Sequence, residues 1–252
     1  MAILRLTQLT DLHLGENKNY RLRGVSTMAT LQAVLEHVDQ IGRGNDLLLL
    51  TGDLASDCQP EAYRLLDQLL SEQNRRVMWL PGNHDDFSVM QTGLVHYPAI
   101  SVYEHNHWGI LTLDSSIPGK TEGLVSQQQL RLLEEGLRQL ANKYVLVAMH
   151  HSPVSIDCPW LDEHRISNHH HLHQVLCNHG NVKAVIFGHV HQEYQTDWNG
   201  IDVYATPSTC VQFKPGTEDF ELSDQTPGYR YFDLYPDGRL DTAVQFIEKP
   251  FL

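Results

Sequence analysis

No run in this sequence is long and apolar enough to cross a bilayer; the longest apolar stretches are strand-sized. The segment Met1 to Thr7 has no basic leader, long apolar core or small-residue cleavage site, so a cytoplasmic protein is expected. Cysteine is scarce. The four (Cys58, Cys158, Cys177, Cys210) are scattered and form no C-x-x-C pair. That argues against a zinc ribbon or a thioredoxin-type site, and the thiols are read as reduced and mostly buried. Basic residues are outnumbered, 18 against 31 acidic, for a formal net charge of −13. Such a chain is a poor tracker of nucleic acid, and its surface repels anionic substrates. A phosphate site would need its own local cations, which metal ions can supply. No internal repeat and no Pro/Gly/Ser linker appears, so one domain over residues 1–252 is expected.

Histidine, by contrast, is plentiful at 16, and hydrophobic residues make up 41%, enough for a sizeable core. Five short apolar runs read as buried strands: Ile3 to Thr10, Asp46 to Thr51, Arg76 to Pro81, Tyr144 to Met149 and Val182 to Phe187. Amphipathic helices fall between several of them. Ser26 or Thr27 caps one bearing Leu31, Val34, Leu35 and Val38, Pro60 opens a second, Ser126 caps a third, and a fourth ends near Gly180. This alternation predicts an α/β architecture. A shorter strand spans Trp108 to Asp114. Further strands follow Ile201, at Ile201 to Ala205, Tyr229 to Tyr235 and Asp241 to Phe246, with a turn at Asp237-Gly238. The strands over about 201–248 are expected to complete a second sheet.

Each of the five main strands ends in the same chemistry. The first runs into Asp11-Leu12-His13 and the second into Gly52-Asp53. The third meets Gly82-Asn83-His84-Asp85, the fourth His150-His151 and the fifth Gly188-His189-Val190-His191. Ligands of open α/β sheets bind beyond the carboxyl ends of the strands. Five sets of Asp, Asn and His should therefore meet in one crevice. Imidazole, carboxylate and carboxamide oxygen suit Fe, Mn or Zn without thiolate. One such motif alone is weak evidence, but this ordered set is highly specific.

That ordered set resembles the calcineurin-like metallophosphoesterase superfamily, over residues 1 to about 215. Within it the chain is similar to the bacterial class III 3′,5′-cyclic AMP phosphodiesterases. The closer likeness rests on Trp79-Leu80-Pro81-Gly82-Asn83-His84-Asp85, on Trp160-Leu161-Asp162 and on Asp197-Trp198-Asn199-Gly200. It rests also on the block Ala205 to Pro215, which is not expected to be needed for metal binding. The resemblance implies a four-layer αββα sandwich, two mixed β-sheets flanked by helices. It implies two divalent ions, iron or manganese first and zinc third. Asp11, His13 and His191 would hold one ion, Asn83, His150 and His189 the other, and Asp53 would bridge them. Cyclic AMP would be hydrolysed to 5′-AMP by a hydroxide shared between two ions ~3.5–4 Å apart.

The resemblance also makes His84 and Asp53 catalytic, with His84 either protonating the leaving 3′-oxygen or stabilising developing charge. It puts His13, Asp53, Asn83, His84 and His191 against substrate. Asp85 would orient His84 or a neighbouring ligand, Asp86 would cap a helix, and His151 would pack beside the site. His169, His170, His171 and His173 read as a solvated helix face. Trp160, Phe213 and Trp198 are candidates to stack on adenine. The alternative substrates are a glycerophosphodiester, a 2′,3′-cyclic nucleotide or a nucleotide-lipid. The remaining alternative is a metal-free scaffold, disfavoured because every ligand position is filled. The expected partner is a small cyclic nucleotide, with no nucleic acid and no membrane; monomer and homodimer both fit.

Overall fold

A computed structural model describes residues 2–73 and 75–248; the outer limits of the expected 1–252 domain lie outside these. The first half runs β1 (Leu4–Leu9), β2 (Arg21–Leu22), β3 (Val25–Ser26), α1 (Thr27–Gln40), β4 (Leu47–Thr51), α2 (Pro60–Ser71), β5 (Val77–Leu80) and α3 (Phe87–Gly93). It continues through β6 (Val102–His105), β7 (Trp108–Thr112), α4 (Gln127–Gln139), β8 (Tyr144–Ala148), α5 (Pro159–Asp162), α6 (His169–Cys177) and β9 (Val182–Phe187). The remainder is β10 (Tyr194–Asp197), β11 (Asp202–Ala205), β12 (Gln212–Phe213), β13 (Leu222–Ser223), β14 (Gly228–Leu234) and β15 (Leu240–Phe246). Among the described residues no helix is long and apolar enough to cross a membrane.

Two mixed sheets dominate, ordered β15-β14-β1-β4-β5 and β10-β11-β9-β8-β7-β6. In the six-stranded sheet the central strands pair in parallel and both edge strands antiparallel, whereas in the five-stranded sheet β1, β4 and β5 pair in parallel and only β14, with β1 and with β15, pairs antiparallel. Alternation explains the layering, because side chains on a strand point to opposite faces with period 2. In β4, Leu47 and Leu49 face the other sheet, while Leu48 and Leu50 face α1 and α2. Opposite them, Leu146 and Ala148 point inward, while Val145 and Val147 meet α4 and α6. A strand buried on both faces must be apolar throughout, hence the unbroken Leu47 to Leu50 run. Four layers result.

Helix starts follow local chemistry. The Asp86 carboxylate accepts from the Ser88 and Val89 amides, the Ser126 hydroxyl accepts from the Gln129 amide, and Pro60 occupies the first turn of α2.

The C-terminal strands divide between the sheets, contrary to the expectation that 201–248 completes one of them. Strand β11 joins β9, whereas β14 pairs antiparallel onto the outer edge of β1 and β15 onto β14. Left bare, that edge of β1 would expose unpaired N–H and C=O groups. Strand β14 suits the place because Phe232 and Leu234 point into the inter-sheet layer while Tyr229 points to the α1 side. Its buried Arg230 donates from Nη2 to the Ala205 carbonyl at 3.0 Å, tying one sheet to the other.

Candidate metal centre

The carboxyl ends of β1, β4, β5, β8 and β9 open on one crevice where both sheets end. Asp11, His13, Asp53 and Asn83 reach it from the five-stranded sheet, and His150, His189 and His191 from the six-stranded one. Sharp reversals aim them. Asp11, His13, Asp53, His189 and His191 all have positive φ, between 46° and 68°. Non-glycine residues reach this left-handed region at a cost of about 1–3 kcal/mol each, so the surroundings must hold them there. The loops after β1 and β4 do so by running side by side. The Asp11, His13 and Leu14 amides donate to the Gly52, Asp53 and Leu54 carbonyls at 2.9–3.0 Å.

The side chains converge. His191 Nε2 lies 3.2 Å from His13 Nε2 and 3.3 Å from Asp11 Oδ1. His150 Nε2 lies 3.2 Å from Asn83 Oδ1 and 3.4 Å from Asp53 Oδ1. His189 packs 5.1 Å from His150 between ring centroids, and its buried Nε2 has no hydrogen-bond partner. Ligand atoms of Asp11, His13 and His191 lie within 4.8 Å of one another, as do those of Asp11, Asp53 and His150. A crowd of buried nitrogens and carboxylate oxygens, with one imidazole nitrogen orphaned, is a poor hydrogen-bond network and a good set of cation donors. The seven residues therefore fit a pair of ions.

The charges agree. Burial pushes His13 down to about 4 and holds His189 well below its ordinary value, so both rings keep free lone pairs. Burial also works to raise the carboxyls of Asp11 and Asp53, but neighbouring histidines outweigh it and both end below their ordinary value. Burial lowers His150, yet Asp53 and Asp11 reverse that and bring it to about 9. A bound cation would displace that proton.

Backbone carbonyls fix the rings. His150 Nδ1 donates to the Thr51 carbonyl at 2.8 Å and His191 Nδ1 to the Val211 carbonyl at 2.7 Å, turning each Nε2 to the crevice. The block Ala205 to Pro215, read as unneeded for metal binding, is thus part of the site's scaffold. Besides Val211, Ser208 donates its hydroxyl to the Asp11 carbonyl at 2.7 Å, and the Phe213 ring stacks on His191 at 4.0 Å.

His84 stands exposed at the crevice mouth. Its amide donates to Asp53 Oδ1 and its Nδ1 to the Ser56 carbonyl, both at 2.9 Å, which leaves Nε2 for a ligand. Asp85 does not reach His84. Its carboxylate accepts from the Leu54, Ala55 and Gly82 amides and from the Tyr63 hydroxyl, binding the loop after Asp53 to the loop after β5.

The other candidates separate. His151 has both nitrogens engaged, Nδ1 with the Ser115 hydroxyl at 2.8 Å and Nε2 with the Thr121 carbonyl at 3.1 Å. Trp198 packs on His173, with ring centroids 4.6 Å apart, and is not brought to the crevice, whereas Trp160 and Phe213 pack together beside His191. His169, His170, His171 and His173 lie on α6, and among the described residues no three metal-capable side chains converge there. Sequence reasoning missed Ser56, Thr51 and Val211. They act through carbonyl oxygens, which every residue has, so no side-chain pattern marks them.

Residues 4–193 match the model of the family described as calcineurin-like phosphoesterase. A Haemophilus influenzae protein named 3′,5′-cyclic adenosine monophosphate phosphodiesterase CpdA is 39% identical over 251 residues, 98% of this chain and 91% of that protein. A Nostoc protein named as a 3′,5′-cyclic-nucleotide phosphodiesterase is 33% identical over 245 residues, 96% of this chain and 92% of its own length. Among solved structures, a dimetal phosphatase from Danio rerio superposes with TM-score 0.59 at 16% identity, covering 92% of this chain and 96% of that one. GAP50, described as the anchor in the inner membrane complex of Plasmodium, superposes with TM-score 0.62 at 13% identity, covering 99% and 90%. At such identities these two likenesses are of fold alone, and a fold hosts more than one function.

Proposed function

Since the chain belongs to the calcineurin-like phosphoesterase family, we propose that it is a two-metal phosphodiesterase that hydrolyses 3′,5′-cyclic AMP to 5′-AMP. One observation carries the reading most: side chains from both sheets converge, with ligand atoms of Asp11, His13 and His191, and of Asp11, Asp53 and His150, within 4.8 Å of one another, and the buried His189 Nε2 is left without a hydrogen-bond partner. We assign Asp11, His13 and His191 to one ion and Asn83, His150 and His189 to the other, with Asp53 between them. The donor set has no thiolate and suits iron or manganese, with zinc third. When bound, the ions supply Lewis acidity for attack of water on phosphorus and positive charge to offset the net charge of −13.

The chain's own residues do the rest. Around the phosphate stand His13, Asp53, Asn83, His84 and His191. The Ser56 carbonyl holds the Nδ1–H of His84, so a protonated ring presents Nε2–H outward. That proton passes to O3′ as the P–O3′ bond breaks, and 5′-AMP results. Asp53 also accepts from the His84 amide, so the same carboxylate sets the position of the acid.

The test is product identification. Purified protein with Mn²⁺ or Fe²⁺ is given 3′,5′-cyclic AMP, 2′,3′-cyclic AMP and an aryl phosphodiester, and products are resolved by chromatography. Efficient release of 5′-AMP from 3′,5′-cyclic AMP is expected. Turnover of the aryl diester alone would overturn the cyclic nucleotide assignment but keep the metal centre. No turnover and no metal uptake would overturn both.

A further inference from the structure

Two small hairpins meet over the histidines of the crevice, and neither is needed to complete the seven-residue cluster. One is β2–β3. Its central residues Arg23 and Gly24 have φ of 51° and 87°, the double left-handed turn that matches strand twist. The Arg21 guanidinium closes it, donating to the Gly24 carbonyl at 2.8 Å. The other is β12–β13, in which Phe213 opposes Leu222 and Lys214 pairs with Glu221 at 2.7 Å. They touch through Arg23, whose guanidinium lies 5.1 Å from the Phe220 ring centroid.

Between them is a cleft of about 220 Å³. Its floor includes His13, His84 and His191; its walls are Tyr20, Leu22, Phe213, Phe220 and Leu222, with Arg23 at the edge. Tyr20 lies so close to Gly15 that a Cβ there would collide with its ring. Phe220 packs edge-on against Phe213 and Trp160, with centroids 5.3 and 5.4 Å apart. Even so, Phe220 remains 45% exposed and Leu222 39%. Aromatic and aliphatic surface left open beside a strongly polar centre marks a place where a ligand, not the protein, completes the burial.

We propose that this cleft is the nucleobase subsite and that Phe220 is its principal stacking residue. The proposal rests on the phosphodiesterase reading above. A phosphate held by His13, His84 and His191 puts its sugar and base into the space that continues from them, and the walls there are flat and apolar. Stacking on aromatic rings, with an arginine at the edge, holds any nucleobase by its π-face. Among the described residues, no carboxylate or carboxamide side chain lines the cleft to read an exocyclic group. The site therefore distinguishes a nucleotide from a base-free phosphodiester, and distinguishes adenine from guanine only weakly. Trp198, the other aromatic of the resemblance, has no part in it.

The test compares metal-loaded wild type, Phe220→Ala and Phe220→Trp on cyclic AMP, cyclic GMP and ribose 3′,5′-cyclic phosphate. In Phe220→Ala, the preference for cyclic AMP over the base-free substrate, as a ratio of kcat/KM, should fall by roughly tenfold. The loss should sit in KM, cyclic GMP should lose as much, and Phe220→Trp should restore the ratio. Adenosine binding, read by saturation-transfer NMR, should weaken in parallel. If cyclic AMP is hydrolysed but Phe220→Ala changes neither the ratio nor adenosine binding, the subsite is wrong and the enzyme assignment stands. A loss confined to cyclic AMP overturns the stacking account. If wild type turns over no cyclic nucleotide yet binds adenosine through Phe220, the subsite stands and the phosphodiesterase reading falls. Neither turnover nor adenosine binding overturns both.

Discussion

His84 and Asp53 are joined by one hydrogen bond, yet the proposed reaction gives them different work. His84 is exposed and anchored through its backbone amide and Nδ1, and it meets the proposed ligand set at Asp53 and, edge-on, at His13, with ligand atoms of the three within 4.8 Å of one another. Replacing it with alanine should leave metal content at two ions per chain and lower kcat by about 10²–10⁴-fold, the range for losing a general acid. Metal analysis and steady-state kinetics on one preparation check this; loss of metal would show that His84 is a ligand. Asp53→Ala should abolish measurable turnover and weaken uptake at both sites. Its effect on metal affinity should exceed the roughly 10–100-fold typical of an outer partner. A variant binding two ions with wild-type affinity would refute the bridging role.

At the scale of elements, the site is a set of strand ends whose first residues turn the wrong way for ordinary helix or sheet. Gly52 makes the β4 turn possible. Its φ is +92°, and a Cβ there would sit 2.5 Å from His150 Nδ1 and 2.7 Å from the Gly82 nitrogen. Gly52→Ala should therefore destabilise the protein by about 2–3 kcal/mol, lowering Tm by roughly 5–10 °C. Thermal denaturation of the metal-free protein isolates this from any ligand effect. Gly180→Ala is the control, since nothing lies within 4 Å of a Cβ at that position. Equal melting of the two variants would mean that the loop has slack the observed packing denies.

Across the whole molecule, the proposed ligands come four from one sheet and three from the other, so bound ions are also cross-links between the two halves of the sandwich. Metal at about 100-fold over its dissociation constant adds about 2.7 kcal/mol to stability, because only the folded chain holds the donors together. Scanning calorimetry should show Tm falling by roughly 5–10 °C on chelation and recovering with Mn²⁺. A Tm indifferent to both treatments would contradict a centre that spans the sheets. The inter-sheet layer itself, Leu4, Leu6, Leu47 and Leu49 against Ile110, Leu146 and Ile186, should keep the metal-free protein folded.

Much of this was legible in residue order alone. Strand interiors buried on both faces must be apolar, so the runs Asp46 to Thr51 and Tyr144 to Met149 announced themselves to within a residue of β4 and β8, and side chains that close a strand with Asp, Asn or His marked the crevice. The starts of α2 and α4 were readable from Pro60 in the first turn and the capping hydroxyl of Ser126, because those preferences act within a few residues, whereas Ser26 occupies the cap position of α1 without a side-chain hydrogen bond. What required the folded chain acts over long separations or without a side-chain signature. The carbonyls of Thr51, Ser56 and Val211 orient His150, His84 and His191, yet any residue could supply them. Asp85 could not be seen to grip the loop after Asp53 instead of His84 until the two loops were side by side. The pairing of β14 with β1, and the meeting of Arg23 with Phe220 across nearly two hundred residues, were settled only by tertiary packing, since sequence pattern encodes which face a strand buries but not which neighbour covers its edge.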